Sequence, residues 1–250
     1  DVSAPNTFQI TSLEWNGGTI QGTGTTRVSG GFISAVAPTL LTGSGSFTIP
    51  AAAFQYNADN VNHLTINGTA KLNVETGGAM TITGNGIIGG VSTARVSSTG
   101  GTLTKSGASS ARIDVPIDFT TGTGGAIVVN TGSLELSGGG TIGGSAGSLQ
   151  IVAGATLNAI GGALDINPSA TLSGTGTLRI SGGTVKFNTP ATIANLLLDA
   201  GVLGGSANVA LDGGKWTGGD MDGAGTTTVN GGKTFEISTA TPKKLRRNFI

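Results

Sequence analysis

Three acidic residues near the end of the chain, Asp212, Asp220 and Asp222, are the residues best placed to bind a metal ion. Carboxylate oxygens are preferred calcium ligands, and the run from Asp220 to Gly223 resembles part of a calcium loop. The spacing matches neither the EF-hand nor the glycine-rich calcium repeat. We therefore expect solvated carboxylates and no bound metal or other cofactor, with Ca²⁺ as the sole candidate ion here.

A basic cluster follows shortly after these carboxylates. Lys243, Lys244, Arg246 and Arg247 place four positive charges within five positions. Such a cluster is a candidate interaction patch for an acidic polymer, a lipopolysaccharide or an acidic surface on a neighbouring molecule. The alternative is a solvated strand edge, where positive charge discourages random pairing with other edges.

Residues suited to catalysis are scarce. His63 is the only histidine, so a site with two histidines is excluded. Asp114 and Asp118 flank Pro116 and are expected on the same side of one strand, but nothing nearby supplies a proton donor of tuned pKa. Enzymes that cut glycans concentrate charged residues on one face, whereas only 10% of this chain is charged. The sequence predicts that the protein is not an enzyme.

The overall charge argues against polyanionic partners. Thirteen basic and thirteen acidic residues cancel, so no net field attracts nucleic acid. No uninterrupted apolar run reaches the roughly 18 residues needed to cross a bilayer, so no transmembrane segment is predicted. The chain has no cysteine, which excludes disulfides and thiolate metal sites.

The elements that must position these residues are short strands. Glycine contributes 46 residues, yet 37% of the chain is hydrophobic, which favours an ordered chain. Apolar and polar residues alternate, as in Thr177–Ile180 and Thr184–Phe187, and this period of two is typical of half-buried strands. Residues 191–200 are also predicted as strand, because Pro190 and Gly201 leave room for only a short, weakly capped helix.

A short repeat organises these strands. Between Gly132 and Phe187 a small residue followed by a strand recurs every seven or eight residues. Three such sides close one coil of roughly 20 to 25 residues. The sequence therefore predicts an all-β fold, a right-handed parallel β-helix with three sides. Glycine occupies the corners, Leu, Ile and Val stack inward, and Thr, Ser and Asn point outward.

A longer similarity joins the two ends of the chain. The pattern Trp-x-Gly-Gly-x-apolar-x-Gly-x-Gly-Thr-Thr-x-Val-x-Gly-Gly begins at Trp15 and again at Trp216, and holds over 17 positions. We predict one solenoid domain over residues 1–250, in which 211–250 begins a second copy of the 13–31 unit. Prolines and successive alanines interrupt the alternation in residues 35–62, which are predicted to hold an irregular or inserted loop.

Three glycine-rich segments, Gly101 to Gly107, Leu172 to Val185 and Trp216 to Val229, resemble the repeats of very long bacterial surface proteins. Autotransporter passengers and filamentous-haemagglutinin-like adhesins are similar to them. The resemblance implies parallel β-helix architecture, secretion, and a role in adhesion, biofilm matrix or surface fibres. The expected function is a structural or adhesive segment of a bacterial extracellular or cell-surface fibre.

Partners and alternative functions follow from the same pattern. Neither end of the chain has the composition of a polar cap, so we expect head-to-tail self-association or continuation into further coils. A host or surface glycan or protein is the expected receptor. The alternative is a glycan-binding or glycan-degrading β-helix protein of the lyase or hydrolase kind. An ice-binding solenoid needs regular threonine rows, whereas Thr25-Thr26 and Thr226-Thr227-Thr228 are isolated.

Overall fold

The structure, a computed structural model, describes residues 6–34, 37–59, 61, 63–120, 125–144, 147–238 and 241–250. These residues form 33 strands and no helix. Each strand pairs in parallel with its counterpart in the next coil. The fold is a three-sided, all-β parallel solenoid, which confirms the predicted class, while the right-handed coil direction stays a prediction from the preference of parallel connections.

The strands lie on three faces, named A, B and C in the order in which the chain visits them. Face A is a sheet of 12 strands, namely β1 (Thr7–Ile10), β4 (Thr25–Val28), β7 (Ser46–Ile49), β10 (Lys71–Val74), β13 (Arg95–Ser98), β16 (Ile117–Phe119), β19 (Gly140–Ile142), β22 (Ala163–Ile166), β25 (Thr184–Phe187), β28 (Val202–Gly204), β30 (Gly219–Met221) and β32 (Lys243–Leu245). Face B begins with a sheet of 8 strands, namely β2 (Leu13–Trp15), β5 (Gly31–Ser34), β8 (Ala53–Asn57), β11 (Ala79–Ile82), β14 (Thr102–Lys105), β17 (Ala126–Val129), β20 (Ser148–Ile151) and β23 (Thr171–Ser173).

Face C belongs to a sheet of 13 strands that also takes in the end of face B. Its members are β3 (Gly18–Gly22), β6 (Thr39–Gly43), β9 (Leu64–Ile66), β12 (Ile87–Gly90), β15 (Ser110–Ile113), β18 (Ser133–Leu136), β21 (Thr156–Ala159), β24 (Thr177–Ile180), β26 (Ala191–Ile193), β27 (Asn195–Leu198), β29 (Val209–Trp216), β31 (Thr226–Ile237) and β33 (Asn248–Phe249).

The long strands β29 and β31 each turn a corner between faces B and C. The first part of β29 pairs with β26, whereas its last part, which ends at Trp216, pairs with β27. The register between β29 and β31 shifts between Leu211 and Gly213, where the backbone bends. β33 pairs with the first part of β31. The last coils therefore join two faces into one continuous sheet.

The length of a coil varies along the stack. Asn195 hydrogen-bonds to its neighbour Thr177 across 18 residues, whereas Thr93 bonds to Gly68 across 25. The sequence predicts roughly 20 to 25 residues, so the shortest coils are tighter than predicted. The corners cause this difference, because Ala194 alone separates β26 from β27.

Inward side chains stack in columns and form the core. On face A, Phe47, Leu72 and Val96 lie in register in consecutive coils and are fully buried. Phe47 also packs against Trp15 and Phe54 of face B, with ring centroids 5.7 and 5.5 Å apart. Because successive residues of a strand point to opposite sides, a strand inside the stack contributes to this core and to the outer surface.

Glycine lets the backbone turn into face A at Gly140. This residue has φ +127, a conformation that side chains disfavour, and an added Cβ would lie 2.1 Å from the carbonyl oxygen of Ile117 in the previous coil. Glycine is needed here for its conformation and for the close stacking of coils.

Two local predictions need correction because a corner interrupts what the sequence suggests is one strand. Residues 191–193 and 195–198 are strand as predicted, but they form two strands, β26 and β27, on adjacent faces, and residues 199 and 200 lie outside them. Asp114 and Asp118 do not share a strand, since β15 ends at Ile113 and β16 begins at Ile117. Pro116 lies in the corner between them, where the missing N–H breaks no ladder.

Most of the segment 35–62 forms regular, strand-paired turns of the solenoid. Its described residues include strands β6, β7 and β8, each paired in register with its neighbours. Residues 35, 36, 60 and 62 lie outside the described residues.

The two copies of the tryptophan motif differ in position. Trp15 ends β2 on face B, whereas Trp216 ends β29 on face C, and both are buried. The second copy keeps the strand and corner pattern of the first but begins one face further round the coil.

Candidate functional site

The three acidic candidates do not converge on a metal site. Asp212 lies at the corner within β29 and accepts a hydrogen bond of 2.7 Å from Asn230 Nδ2. Asp220 and Asp222 lie on either side of the inward Met221, and Asp222 Oδ1 accepts a bond of 2.7 Å from the Gly223 N–H. Among the described residues no group of three His, Cys, Asp or Glu side chains could hold a metal ion.

The basic cluster lies beside these carboxylates in the following coil. Lys244 pairs with Asp220 in the parallel register, and its N–H donates to Asp220 Oδ1 at 3.2 Å. Arg246 Nη1 lies 3.9 Å from Asp222 Oδ2. Lys243 Nζ donates to the Thr241 carbonyl at 2.9 Å. Exposed pairs of this kind contribute little stability, but they balance the charge of this face.

Arg247 is wrongly predicted as part of the surface patch. Its side chain is buried, and its guanidinium donates to the carbonyl oxygens of Gly204 (3.3 Å), Asp222 (3.3 Å) and Ala207 (3.0 Å). Burial lowers the pKa of Arg247, and the nearby Asp222 carboxylate partly opposes that shift. Arg247 therefore connects coils from the inside of a corner, and only three of the four basic residues remain for a partner.

His63 and Asp118 show no catalytic arrangement. The His63 carbonyl accepts a hydrogen bond of 3.2 Å from the Thr39 N–H, and its ring Nδ1 is buried without a partner among the described residues. Asp118 on face A accepts a bond of 2.6 Å from Thr120. Neither residue forms part of a paired acid and base within the described part of the chain.

One lysine is fully buried, and the sequence did not lead us to predict this. Lys105 lies in an inward column of face B between Ile82 and Val129, and its Nζ donates to the carbonyls of Ser106 (2.7 Å) and Gly107 (2.9 Å). Burial lowers the pKa of Lys105. The signal was present in β14, where strict alternation places Lys105 on the same side as Leu103.

A groove runs along the outer side of face C. Two adjoining cavities of about 650 and 380 Å³ share Ser110 and Glu135 in their linings. The groove extends over successive coils, from Ile87 in β12 to Lys215 in β29.

Two columns of outward side chains form the floor of this groove. The first column is short and polar, with one side chain per coil: Ser110, Ser133, Thr156, Thr177 and Asn195. The second column is longer and partly charged: Arg112, Glu135, Asn158, Arg179, Leu197, Lys215 and Glu236. Successive coils of a parallel sheet lie about 4.8 Å apart, so the second column spans about 30 Å.

The cations of the second column are already paired. Arg179 Nε donates to Asp199 at 2.6 Å, and Arg112 Nη2 donates to Asp114 at 2.9 Å. Lys215 Nζ lies 2.9 Å from a Glu236 carboxylate oxygen. Every cation on the groove floor therefore has a carboxylate beside it.

Glu135 and Asn158, adjacent in the second column, keep free hydrogen-bonding capacity. The half-buried Glu135 carboxylate has neither an ion pair nor a hydrogen bond among the described residues. Asn158 is only 6% exposed, and its Oδ1 accepts a bond of 2.8 Å from Ser181. Its Nδ2 donors have no acceptor among the described residues. The centre of the groove thus offers an acceptor and a donor side by side.

Sequence reasoning missed this groove because neighbouring residues of its two columns lie 18 to 23 positions apart in the sequence. The signal that could have found them is the third residue of each strand on face C, as in Glu135, Asn158 and Arg179. Lining up these positions needs the length of every coil, which the sequence alone gives only roughly.

The fold and the groove define this protein as a three-sided parallel β-solenoid with a polar groove along one face. Beyond this class, no protein-family model, curated protein or solved structure matches the chain. Within the part of the chain that the structure describes, no helix is long and apolar enough to cross a membrane.

Proposed function

We propose that this chain is a structural and adhesive segment of a bacterial extracellular or cell-surface fibre. The observation that supports this most strongly is the uninterrupted stack of parallel coils, which exposes inward-column residues at both described ends. Phe8 is 67% exposed in the first coil, although it shares an inward column with Phe47. A further coil stacked on β1 would cover it.

The other end of the stack has the same property. Leu245 is 51% exposed and continues the inward column of Met221. Ile237 is 49% exposed and continues the column of Trp216. Outer strands also present backbone N–H and C=O groups that can pair with another strand. We propose that coils of neighbouring copies cover these side chains in a fibre.

Stacking of this kind buries apolar side chains and pairs backbone N–H and C=O groups, and both effects are favourable. Burying a Phe or Leu side chain contributes about 1.5–3 kcal/mol. In solenoids each coil interacts only with its neighbours, so a contact between two ends resembles a contact within the stack. Head-to-tail association of copies then extends the coil into a fibre.

A charged residue placed at one end of the stack tests this function through its effect on assembly. Phe8→Lys should shorten or abolish the linear particles that the unmodified chain forms at high concentration, because a charge would be buried between coils. The matched control is Val61→Lys, at a position that is 71% exposed and lies in a corner of the stack. Sedimentation velocity and electron microscopy measure particle length. Discrete monomers of the unmodified chain at high concentration would contradict the proposal.

The surroundings of such a fibre follow from its surface. Its outer faces carry short hydroxyl and amide side chains, and the balanced charge gives no attraction to nucleic acid. We place the protein outside the cell or on its surface, where a host or surface glycan or protein serves as receptor. The resemblance to long surface proteins supports this placement.

The groove on face C favours a second function, glycan binding, over glycan cleavage. Canonical glycosidic cleavage needs two carboxylates that flank the scissile bond. Glu135 lines the groove without a partner among the described residues, whereas the carboxylates of Asp114 and Asp199 are held by Arg112 and Arg179. We therefore propose binding without catalysis.

A further inference from the structure

We propose that the groove on face C binds a neutral, hydroxyl-rich glycan chain that lies parallel to the coil axis, with Glu135 and Asn158 as its central contacts. The proposal names the ligand of the adhesive surface, and its biological role rests on the proposed function. The binding itself is a separate property of the groove and can be measured alone.

Unsatisfied polar groups at the centre of the groove point to a ligand. Asn158 is nine-tenths buried, yet its Nδ2 has no acceptor among the described residues, and the neighbouring Glu135 carboxylate has no donor. A hydroxyl group can accept from the amide while an adjacent hydroxyl donates to the carboxylate.

The first column of the floor adds groups of the same kind. The side chains of Ser133 and Thr156 form no hydrogen bond among the described residues, and they lie in the same two strands as Glu135 and Asn158. Each hydroxyl donates once and accepts twice. Two adjacent coils therefore present a carboxylate, an amide and two hydroxyls to one segment of ligand.

The charge of the groove selects against an acidic polymer. Arg179 and Lys215 are occupied by Asp199 and Glu236, so neither is free to bind a sulfate, phosphate or uronate. The unpaired carboxylate is Glu135, and it would repel such a group. A neutral polyol satisfies the site without bringing in charge.

The shape of the groove selects against a peptide strand and an aromatic ligand. The floor is the face of a sheet whose backbone groups are paired between coils, whereas peptides extend a sheet by pairing at an edge. The lining contains no aromatic side chain on which a ring could stack. The apolar side chain of Leu197 can pack against the C–H face of a sugar ring.

The repeat of the coils suits a polymer. Polar side chains recur about every 4.8 Å along about 30 Å of groove, so a chain with regularly spaced hydroxyls can form several weak contacts at once. A single small sugar would occupy only a fraction of this length.

Calorimetric titration with defined hexasaccharides tests the site. Cellohexaose, xylohexaose and maltohexaose serve as neutral probes, and hexagalacturonate serves as the acidic probe. We expect at least one neutral probe to bind. Thr156→Arg, which blocks the groove floor, should lower the affinity for that probe by about tenfold or more. The matched control is Gln150→Arg, an exposed outward position on face B, which should leave the affinity unchanged.

Glu135→Gln separates the role of the charge from that of the shape. This variant should lower the affinity for the neutral probe several-fold. It should also allow hexagalacturonate to bind, since the repelling charge is gone. The proposal is overturned if no neutral probe binds at millimolar concentration, if hexagalacturonate binds the unmodified protein best, or if Gln150→Arg and Thr156→Arg act alike. The Thr156→Arg variant should still form linear particles. If no glycan binds, the fibre proposal is unaffected. If the chain does not assemble, the glycan-binding result is unaffected.

Discussion

At the residue scale, Lys105 and Arg247 show that charge is used inside this solenoid as well as on its surface. Both side chains are buried, and both donate to backbone carbonyls at corners and not to carboxylates. Carbonyl groups at corners fall outside the regular ladders and need donors. A long cationic side chain meets that need at the cost of desolvating its charge.

The desolvation of Lys105 makes a stability prediction. Lys105→Met should raise the unfolding midpoint in denaturant by an amount equivalent to about 1–2 kcal/mol at neutral pH, because removing the buried charge between Ile82 and Val129 outweighs the loss of the bonds to the Ser106 and Gly107 carbonyls. Lys186→Met is the matched control at an outward position of face A, and it should change stability by less than about 0.5 kcal/mol. An equal gain in both variants would contradict the buried-charge explanation.

The same lysine predicts a pH dependence. Its pKa is lowered in the folded protein, so the unfolded chain binds more protons between that lowered value and the ordinary value of 10.5. Stability of the unmodified protein should therefore rise with pH through this window. The advantage of Lys105→Met should shrink as the pH approaches about 10, as measured by unfolding midpoints. A constant advantage would show that the charge is not responsible.

Arg247 predicts a local effect at the last coils. Arg247→Ala should leave the carbonyls of Gly204, Ala207 and Asp222 without this donor and destabilise the end of the stack by about 2 kcal/mol. The neighbouring Arg246→Ala is the control, because its side chain is exposed. Hydrogen exchange should increase around β30 and β32 in the first variant only.

At the element scale, corners decide where each strand lies. Strands of three or four residues carry little preference of their own for a position, whereas a corner fixes both the direction of the chain and the number of residues in a coil. At Gly140 the corner brings the backbone within contact of the previous coil. The cost of adding a side chain should therefore differ among glycines according to their surroundings.

Three glycine-to-alanine changes grade this cost. Gly231→Ala should be nearly neutral, because φ is ordinary and nothing lies near the added Cβ. Gly154→Ala should cost about 1 kcal/mol, since its φ of +81 is strained although the space is open. Gly140→Ala should cost about 2–4 kcal/mol, from strain and the contact with Ile117 together. Thermal unfolding of the three variants would contradict this account if their order differed.

At the scale of the whole molecule, the solenoid is a line of coils whose contacts join near neighbours. Such a chain gains stability by adding coils, and the exposed Phe8 and Leu245 mark where the next coil would be favourable. The groove follows the same line, so a fibre of stacked copies would repeat the glycan site once per copy. Adhesion through many weak sites on one fibre would gain from multivalency.

Local patterns in the sequence were enough to predict the class of fold. Alternation in segments such as Thr177–Ile180 identified the inward residues, and the spacing of glycine corners identified three sides, because both signals are local and need no knowledge of distant contacts.

The lateral neighbours of each residue depend on how the whole chain folds. Coil lengths vary from 18 to 25 residues, so the neighbours of Asp220, Arg247 and Glu135 depend on the sum of every corner before them. The same variation carries the tryptophan motif from face B at Trp15 to face C at Trp216, because the intervening chain does not complete a whole number of turns. Charge pairing, the buried cations and the groove all depend on that accumulated register.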